Sequence, residues 1–466
     1  MSKAGKRNRR RQRARAKTVA QSIRDFLTPA VFRQVRKVAS RRKKPRWDLH
    51  PLVYVLLAMI WCCGDSLPEK FEMSRGFYVV CCPKRKRPGK SFQGFEKALA
   101  KLPMPVLRTL AGAIRGRIKV LFGDRLLFGG FIPLGCDGTR LECPRSEELE
   151  RRLGTFRKKS ACKKAAHKKG SEEKSSAPMI WNTSIVHLTL GIPWCWWWGK
   201  GKKASERAHL LQMLPLLPQL ALLVTDAGYV GYDVLRTLLE AKVFFLIRMS
   251  SRATFYTESQ EPLESFAEGI AYYWPNNARD QGKPPLRGRL ICVRSKKLKV
   301  DVWLFTNVED SSRLSVKLAS QLYRLRWENE GFFRTYKRTL KKVKLMSRSV
   351  RLVHREAEGS MIATQLLLCQ GALAMPATSF KKELPIMCSP RKVLLEIRRE
   401  MNGRSLKGES FAERIAKAER ERRTRQTPKE KRQWPRRKPH QAPKPPVLLR
   451  MTSELKAEVE QNLQAA

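Results

Sequence analysis

The stretch YRLRWENEGFFRTYK, residues 323–337, places carboxylates among cations and aromatic rings. Read as a helix at about 100° per residue, it brings Tyr323, Arg326, Glu330, Arg334 and Lys337 within about 80° of one another, with Glu328 nearly opposite. Glu330 then shares one face with three cations and a phenol. Taken by itself, an ion-pair ladder accounts for that pattern as well as a functional site does.

Two further carboxylates stand in comparable settings. Asp137 closes the apolar run FIPLGCD and Asp226 closes ALLVTD, so both are expected to project from strand ends, where the sites of α/β sheets form. Either aspartate alone is as readily a turn or cap residue. Together with Glu330 they supply hard oxygen ligands suited to Mg²⁺ or Mn²⁺. Two such ions about 3.5–4 Å apart can activate a nucleophile and stabilise the leaving oxygen in phosphodiester cleavage. In this reading Asp137, Asp226 and Glu330 are the catalytic, metal-binding residues, and the cations beside Glu330 hold DNA phosphate.

The elements that must position these residues follow from the pattern around them. From about Leu126 the chain reads as three strands, a helix (SERAHLLQMLPLL), a strand (ALLVTD), a helix (YDVLRTLLEA) and a strand (VFFLIR). That is the order of a ribonuclease H-like α/β core, expected over 125–250 and 315–375. A turn-rich segment, 250–314, reads as a β-rich insertion. One long helix from about Val316 is expected to carry the opening stretch, followed by a largely apolar helix over about Glu356 to Ala374.

Both ends of the chain are basic. Residues 1–120 read as a basic helical DNA-binding region, with an amphipathic helix from about Ser22 to Val38, and 376–466 read as a basic, largely disordered tail. The apolar run PLVYVLLAMIWCC (Pro51 to Cys63) falls short of the ~20 residues a spanning helix needs, so a buried helix is expected and no membrane partner. Without a visible secretory signal, a cytoplasmic, nucleoid-associated location is expected.

The 466 residues carry 96 Lys and Arg against 41 Asp and Glu, a net charge of +55. Such a charge repels itself unless polyanions neutralise it, which points to nucleic acid. The 11 cysteines include the adjacent pairs Cys62-Cys63 and Cys81-Cys82, whose spacing does not suit a zinc site. No pair among the six histidines has metal-ligand spacing. The run WCWWW (Trp194 to Trp198) is expected to be a core strand. Tyr273 and Trp274, in the insertion, are read as better placed to stack on a flipped base.

Tyr323, Arg326, Glu330 and Lys337 stand at the spacing of the YREK signature, so the chain resembles bacterial insertion-sequence DDE transposases of the family-four type. DGTRLECP after the first aspartate, SER at Ser205 to Arg207, DAGY at Asp226 to Tyr229 and FLIR at Phe245 to Arg248 look like further landmarks of that family. The resemblance covers about Leu134 to Ala374. It implies a ribonuclease H-like fold with a β-rich insertion, and Asp137, Asp226 and Glu330 as a DDE triad holding Mg²⁺ or Mn²⁺, two ions in all. It also implies cut-and-paste transposition, in which water and then a 3′ hydroxyl attack phosphodiesters at the element's ends. The implied partners are double-stranded DNA, as terminal inverted repeats and target, and a second copy in a homodimer on DNA. Tyr323, Arg326 and Lys337 would contact DNA, with Arg334, Arg248 and Trp274 as further contacts.

A related nuclease that cuts without joining shares the core, but the YREK spacing and long insertion favour the transposase reading. A non-catalytic DNA-binding protein leaves the placement of the acidic residues at strand ends unexplained.

Overall fold

The computed structural model describes residues 18–39, 47–154, 177–200, 205–259, 261, 265–294, 301–380, 385–404, 409–420 and 444–464. Residues 1–17, 155–176 and the basic tract 421–443 lie outside the described residues, and what is expected of the chain's basic ends falls there only for these stretches. The fold is mixed α/β, built on one large mixed sheet.

The N-terminal part is helical: α1 (Val19–Arg24), α2 (Pro29–Val38), α3 (Leu49–Trp61), α4 (Leu67–Cys81), α5 (Phe92–Ala100) and α6 (Met104–Phe122). The single amphipathic helix expected over 22–38 is instead two. Asp25 ends the first, and Thr28 caps the second by accepting the Val31 N–H. Pro29 follows at the first turn, where a missing N–H costs nothing. The apolar run folds as expected: α3 is buried at every residue from His50 to Trp61. Among the described residues no helix is long and apolar enough to cross a membrane.

The sheet runs β10-β6-β7-β8-β9-β5-β4-β1-β2-β3. Its strands are β1 (Ile132–Glu142), β2 (Met179–His187), β3 (Ile192–Lys200), β4 (Ala221–Thr225), β5 (Phe244–Arg248), β6 (Thr254–Thr257), β7 (Glu268–Tyr273), β8 (Leu286–Val293), β9 (Val302–Thr306) and β10 (Val447–Arg450). The helix α7 (Glu206–Met213) precedes β4 and α8 (Tyr232–Glu240) precedes β5. Strands β1, β4 and β5 are mutually parallel, while β2 and β3 add antiparallel beyond β1. The β-rich insertion forms no separate sheet, because β9 pairs antiparallel with β5 and carries β8, β7 and β6 outward in the same sheet. WCWWW lies in β3, with Trp194, Trp196 and Trp198 buried.

After the insertion come α9 (Val316–Leu325), α10 (Glu328–Arg334), α11 (Val350–Ala374), α12 (Pro390–Met401), α13 (Phe411–Ala416) and α14 (Ser453–Gln464). Helix α11 packs against α3, α6, α12, α13 and β3. A continuous apolar core thereby joins the N-terminal helices to the sheet. The region after 376, expected to be largely disordered, supplies α12, α13, β10 and α14 among its described residues. The reason is local: Val393, Leu394 and Ile397 give α12 a buried stripe within an otherwise charged sequence. β10 extends the sheet beside β6, Val459 of α14 is buried, and Glu458 pairs with Arg279 at 2.6 Å.

Candidate active site

Strand β1 loses one of its two partners just before Asp137. Its parallel pairing with β4 runs from Ile132↔Ala221 to Gly135↔Val224, whereas its antiparallel pairing with β2 continues to Glu142↔Met179. Asp137 therefore does not close its strand as expected. It lies mid-strand, two residues beyond the last β4 pair, because β2 keeps β1 extended. Asp226 does follow the last residue of β4, and its Oδ1 accepts the Gly228 N–H at 2.8 Å. Both aspartates thus stand at the carboxyl end of the parallel β1–β4 pair, in the crevice where ligands of α/β sheets bind.

Side chains alternate along a strand, so Gly135 and Asp137 face the same way. A Cβ on Gly135 would lie 2.5 Å from Asn329 Nδ2 and 2.6 Å from Leu188 Cδ2. The absence of a side chain lets α10 settle on this face, next to Asp137.

The helix expected to run through 323–337 breaks. Arg326 N–H donates to Tyr323 O and Asn329 N–H to Arg326 O, each at 3.1 Å, which tightens the turn between α9 and α10 to three-residue spacing. A wider turn follows, Leu340 N–H reaching Thr335 O at 3.1 Å. The five residues of the expected stripe do not share one environment. Glu330 and Arg334 are exposed, and neither takes an ion pair among the described residues. Arg326 is half-buried, its guanidinium 4.9 Å from the Trp327 ring and 5.7 Å from the Tyr323 ring. Lys337 is half-buried too. Burial holds its pKa below the usual lysine value, with Glu142 as the opposing influence. Glu328 serves the fold instead, its two oxygens taking both terminal nitrogens of Arg420 at 2.7 Å.

Burial pushes the Asp137 carboxyl up to about 6; the Gly138 N–H opposes this, the charges of Glu206 and Asp226 add to it, and Arg326 counteracts it. A carboxyl so crowded by other acids is one that a bound cation would relieve. Several polar atoms here have no hydrogen-bond partner among the described residues: both amide atoms of the fully buried Asn329, the Tyr323 hydroxyl, Arg326 Nε and the Thr225 hydroxyl. Buried polar atoms left bare are costly, so a bound polar group or water is expected to meet them. Asp137 and Asp226 suit a divalent ion in ligand type. Among the described residues, however, no three His, Cys, Asp or Glu side chains stand close enough to hold one, so Glu330 does not complete a triad in this arrangement.

Other expected contacts fall differently. Trp274, read as able to stack on a base, is 1% exposed, donates Nε1–H to Lys283 O at 2.7 Å and packs edge-on to Tyr256. Tyr273 is buried against Phe255 and Phe305. Neither offers a free face: Tyr273 ends β7 among those rings, and Trp274, just beyond it, also has the Arg279 guanidinium 5.3 Å from its ring. Arg248, half-buried, ends β5 opposite Leu304 of β9. Sequence reasoning assigned no role to Glu206 or Asn329. The acid following Ser205 in the SER landmark was a usable signal for the first; nothing in the pattern distinguished Asn329 from the charged residues on either side of it.

Residues 199–366 match a family described as "Transposase DDE domain". The match takes in Asp226 and the whole 323–337 stretch and begins beyond Asp137. No curated protein matches the chain. Seven chains of solved structures do. Among them is a cryo-EM structure of a piggyBac transposase synaptic complex with hairpin DNA, with 10% identity and a TM-score of 0.39 over 82% of this chain and 80% of that one. Over residues 199–366, then, the chain is similar to a transposase DDE domain.

Proposed function

We propose that the chain is a DNA transposase of the DDE group whose reactive centre is the crevice between the carboxyl ends of β1 and β4. The observation that carries this is the placement of Asp137 and Asp226 at that crevice beneath the α9–α10 turn, within and beside the span similar to a transposase DDE domain. The strand order β3-β2-β1-β4-β5 with interleaved α7 and α8 supports reading the core as ribonuclease H-like. The YREK spacing of Tyr323, Arg326, Glu330 and Lys337 supports the family-four type and a cut-and-paste course.

In this reading Asp137 and Asp226 hold Mg²⁺ or Mn²⁺, and Glu330, exposed and unpaired on the adjoining helix, joins them. The ions would supply an activated nucleophile and a stabilised leaving oxygen. The chain's own residues do the rest. Arg326, anchored by two rings, and Lys337 draw the phosphate of a DNA end toward Asp137, and Arg334 adds charge at the rim. A net charge of +55 gathers the duplex from solution. A second copy completes a homodimer on paired DNA ends.

The test uses the DNA flanking the reading frame as substrate. The full chain with Mg²⁺ is expected to nick at inverted repeats and join the 3′ ends to a target plasmid. Cleavage without joining would favour a resolvase-like nuclease, and neither reaction would sink the proposal.

A further inference from the structure

The turn that carries Asp226 is gripped from the far side of the sheet. Gly138, next to Asp137, faces away from α10, and its missing side chain leaves an opening that Glu206, the first residue of α7, fills: a Cβ there would overlap Glu206 Oε1. The other carboxylate oxygen, Oε2, accepts the Tyr229 hydroxyl at 3.1 Å. Tyr229 is 2% exposed and ends the short turn that begins at Asp226. The next residue of α7, Arg207, donates Nε–H to Gly228 O at 2.8 Å. One helix start therefore holds the Asp226 turn at two points while lodging against β1 beside Asp137. Ser205 fixes that helix start by accepting the Ala208 N–H.

We propose that Glu206 and Arg207 are positioning residues that hold the Asp226 turn in register with Asp137, so that the two carboxylates converge on one ion; this rests on reading Asp137 and Asp226 as metal ligands. The operative property of Glu206 is its oxygen as acceptor for Tyr229. Its charge is incidental. The acid sits on the opposite face of β1 from α10, which explains how a third carboxylate can stand so near the pair and yet form no three-acid group.

The experiment is a Mn²⁺ titration of the full chain, read from the electron paramagnetic resonance signal of free Mn²⁺, beside thermal melting of each variant without metal. Glu206→Ala, Arg207→Ala and Tyr229→Phe are each expected to weaken Mn²⁺ binding about tenfold, the usual scale for losing a group that orients a ligand. Glu206→Gln keeps an acceptor oxygen and is expected to restore most of the affinity. The double variant Glu206→Ala/Tyr229→Phe should lose no more than either single change, since both break one bond. Wild-type affinity in Tyr229→Phe, or a Glu206→Gln as weak as Glu206→Ala, would overturn the proposal. Asp226→Ala separates the two readings. Weak binding there beside full affinity in the α7 variants overturns the clamp alone, whereas full affinity in Asp226→Ala overturns the ligand reading beneath it. A variant that melts far below wild type is replaced by Gly138→Ala, which crowds Glu206 out of its opening and is expected to reproduce the tenfold loss; unchanged affinity there counts against the clamp.

Discussion

Asn329 of α10 occupies the space that Gly135 of β1 leaves open, two residues before Asp137. Both residues are buried, so this close approach sets how near the helix of Glu330 comes to the strand of Asp137. Gly135→Ala puts a methyl group against Asn329 and the fully buried Leu188. Overpacking of this kind costs about 1–3 kcal/mol, so the urea midpoint should fall. Cleavage should fall further than the lower stability explains, because α10 is pushed off the sheet. A variant with wild-type stability and cleavage would show that this approach is not limiting.

Asp137→Ala, Asp226→Ala and Glu330→Ala are each expected to abolish cleavage of end DNA while leaving its binding nearly intact, as measured by gel shift and by nicking with Mg²⁺. Asp233→Asn is the control. That carboxylate is exposed and pairs with Lys283 at 3.0 Å, on α8 and away from the crevice. Activity in Glu330→Ala near the wild-type rate would show that the exposed carboxylate never joins the aspartates.

Glu328, two residues before Glu330, should behave in the opposite way. Its paired bonds to Arg420 tie α10 to the segment after α13. Hydrogen bonds to charged groups contribute about 1.5–3 kcal/mol, so Glu328→Gln and Arg420→Ala should each lower stability by a comparable amount, and the double variant by less than the sum. Additive losses in chemical denaturation would mean that the pair does not act as a unit.

Arg326→Ala and Lys337→Ala are expected to weaken binding to cleaved ends and slow joining. For each phosphate that is no longer neutralised, the slope of log affinity against log salt should shrink by about 0.9. Arg326 is the more telling of the two because it packs on Trp327, which is 58% exposed, and faces Asp137. An unchanged slope would assign it to holding the α9–α10 turn rather than DNA.

Acid should unfold the protein partly through two histidines. Burial, then the charges of Arg85, Arg36 and Arg24, hold His50 down to about 3, and burial holds His187 at about 4. Unfolded histidine takes a proton near pH 6.5 and the folded rings do not, so stability is full above that value and drains as pH falls from 6.5 toward 3–4. At pH 5 each ring costs about 2 kcal/mol. His50→Gln, which keeps a polar partner for the Tyr78 hydroxyl, should show a smaller drop in urea midpoint between pH 7 and pH 5. An equal drop would move the acid sensitivity elsewhere.

The order of strands and helices around the crevice was legible in the sequence, because hydrophobic runs of five to nine residues and their turn residues are local signals. So were Asp226 at the end of ALLVTD and the burial of α3 and of WCWWW. What the sequence could not decide were the relations between distant segments. The insertion read as β-rich, but no local signal told that β9 pairs with β5 and merges its strands into the one sheet. Asp137 read as the end of a strand, but β2, some 45 residues later in the chain, pairs past it and keeps it extended. The cationic stripe read from regular 100° steps, whereas a turn of three-residue bonds at Arg326 and a wider one at Thr335 depart from those steps. Glu206 looked ordinary in the sequence, because its meaning depends on an opening at Gly138 and a hydroxyl at Tyr229 that only packing brings to it. Periodicity reports which face of a segment is apolar; which polar atoms meet across the sheet is settled by tertiary contacts that no local pattern encodes.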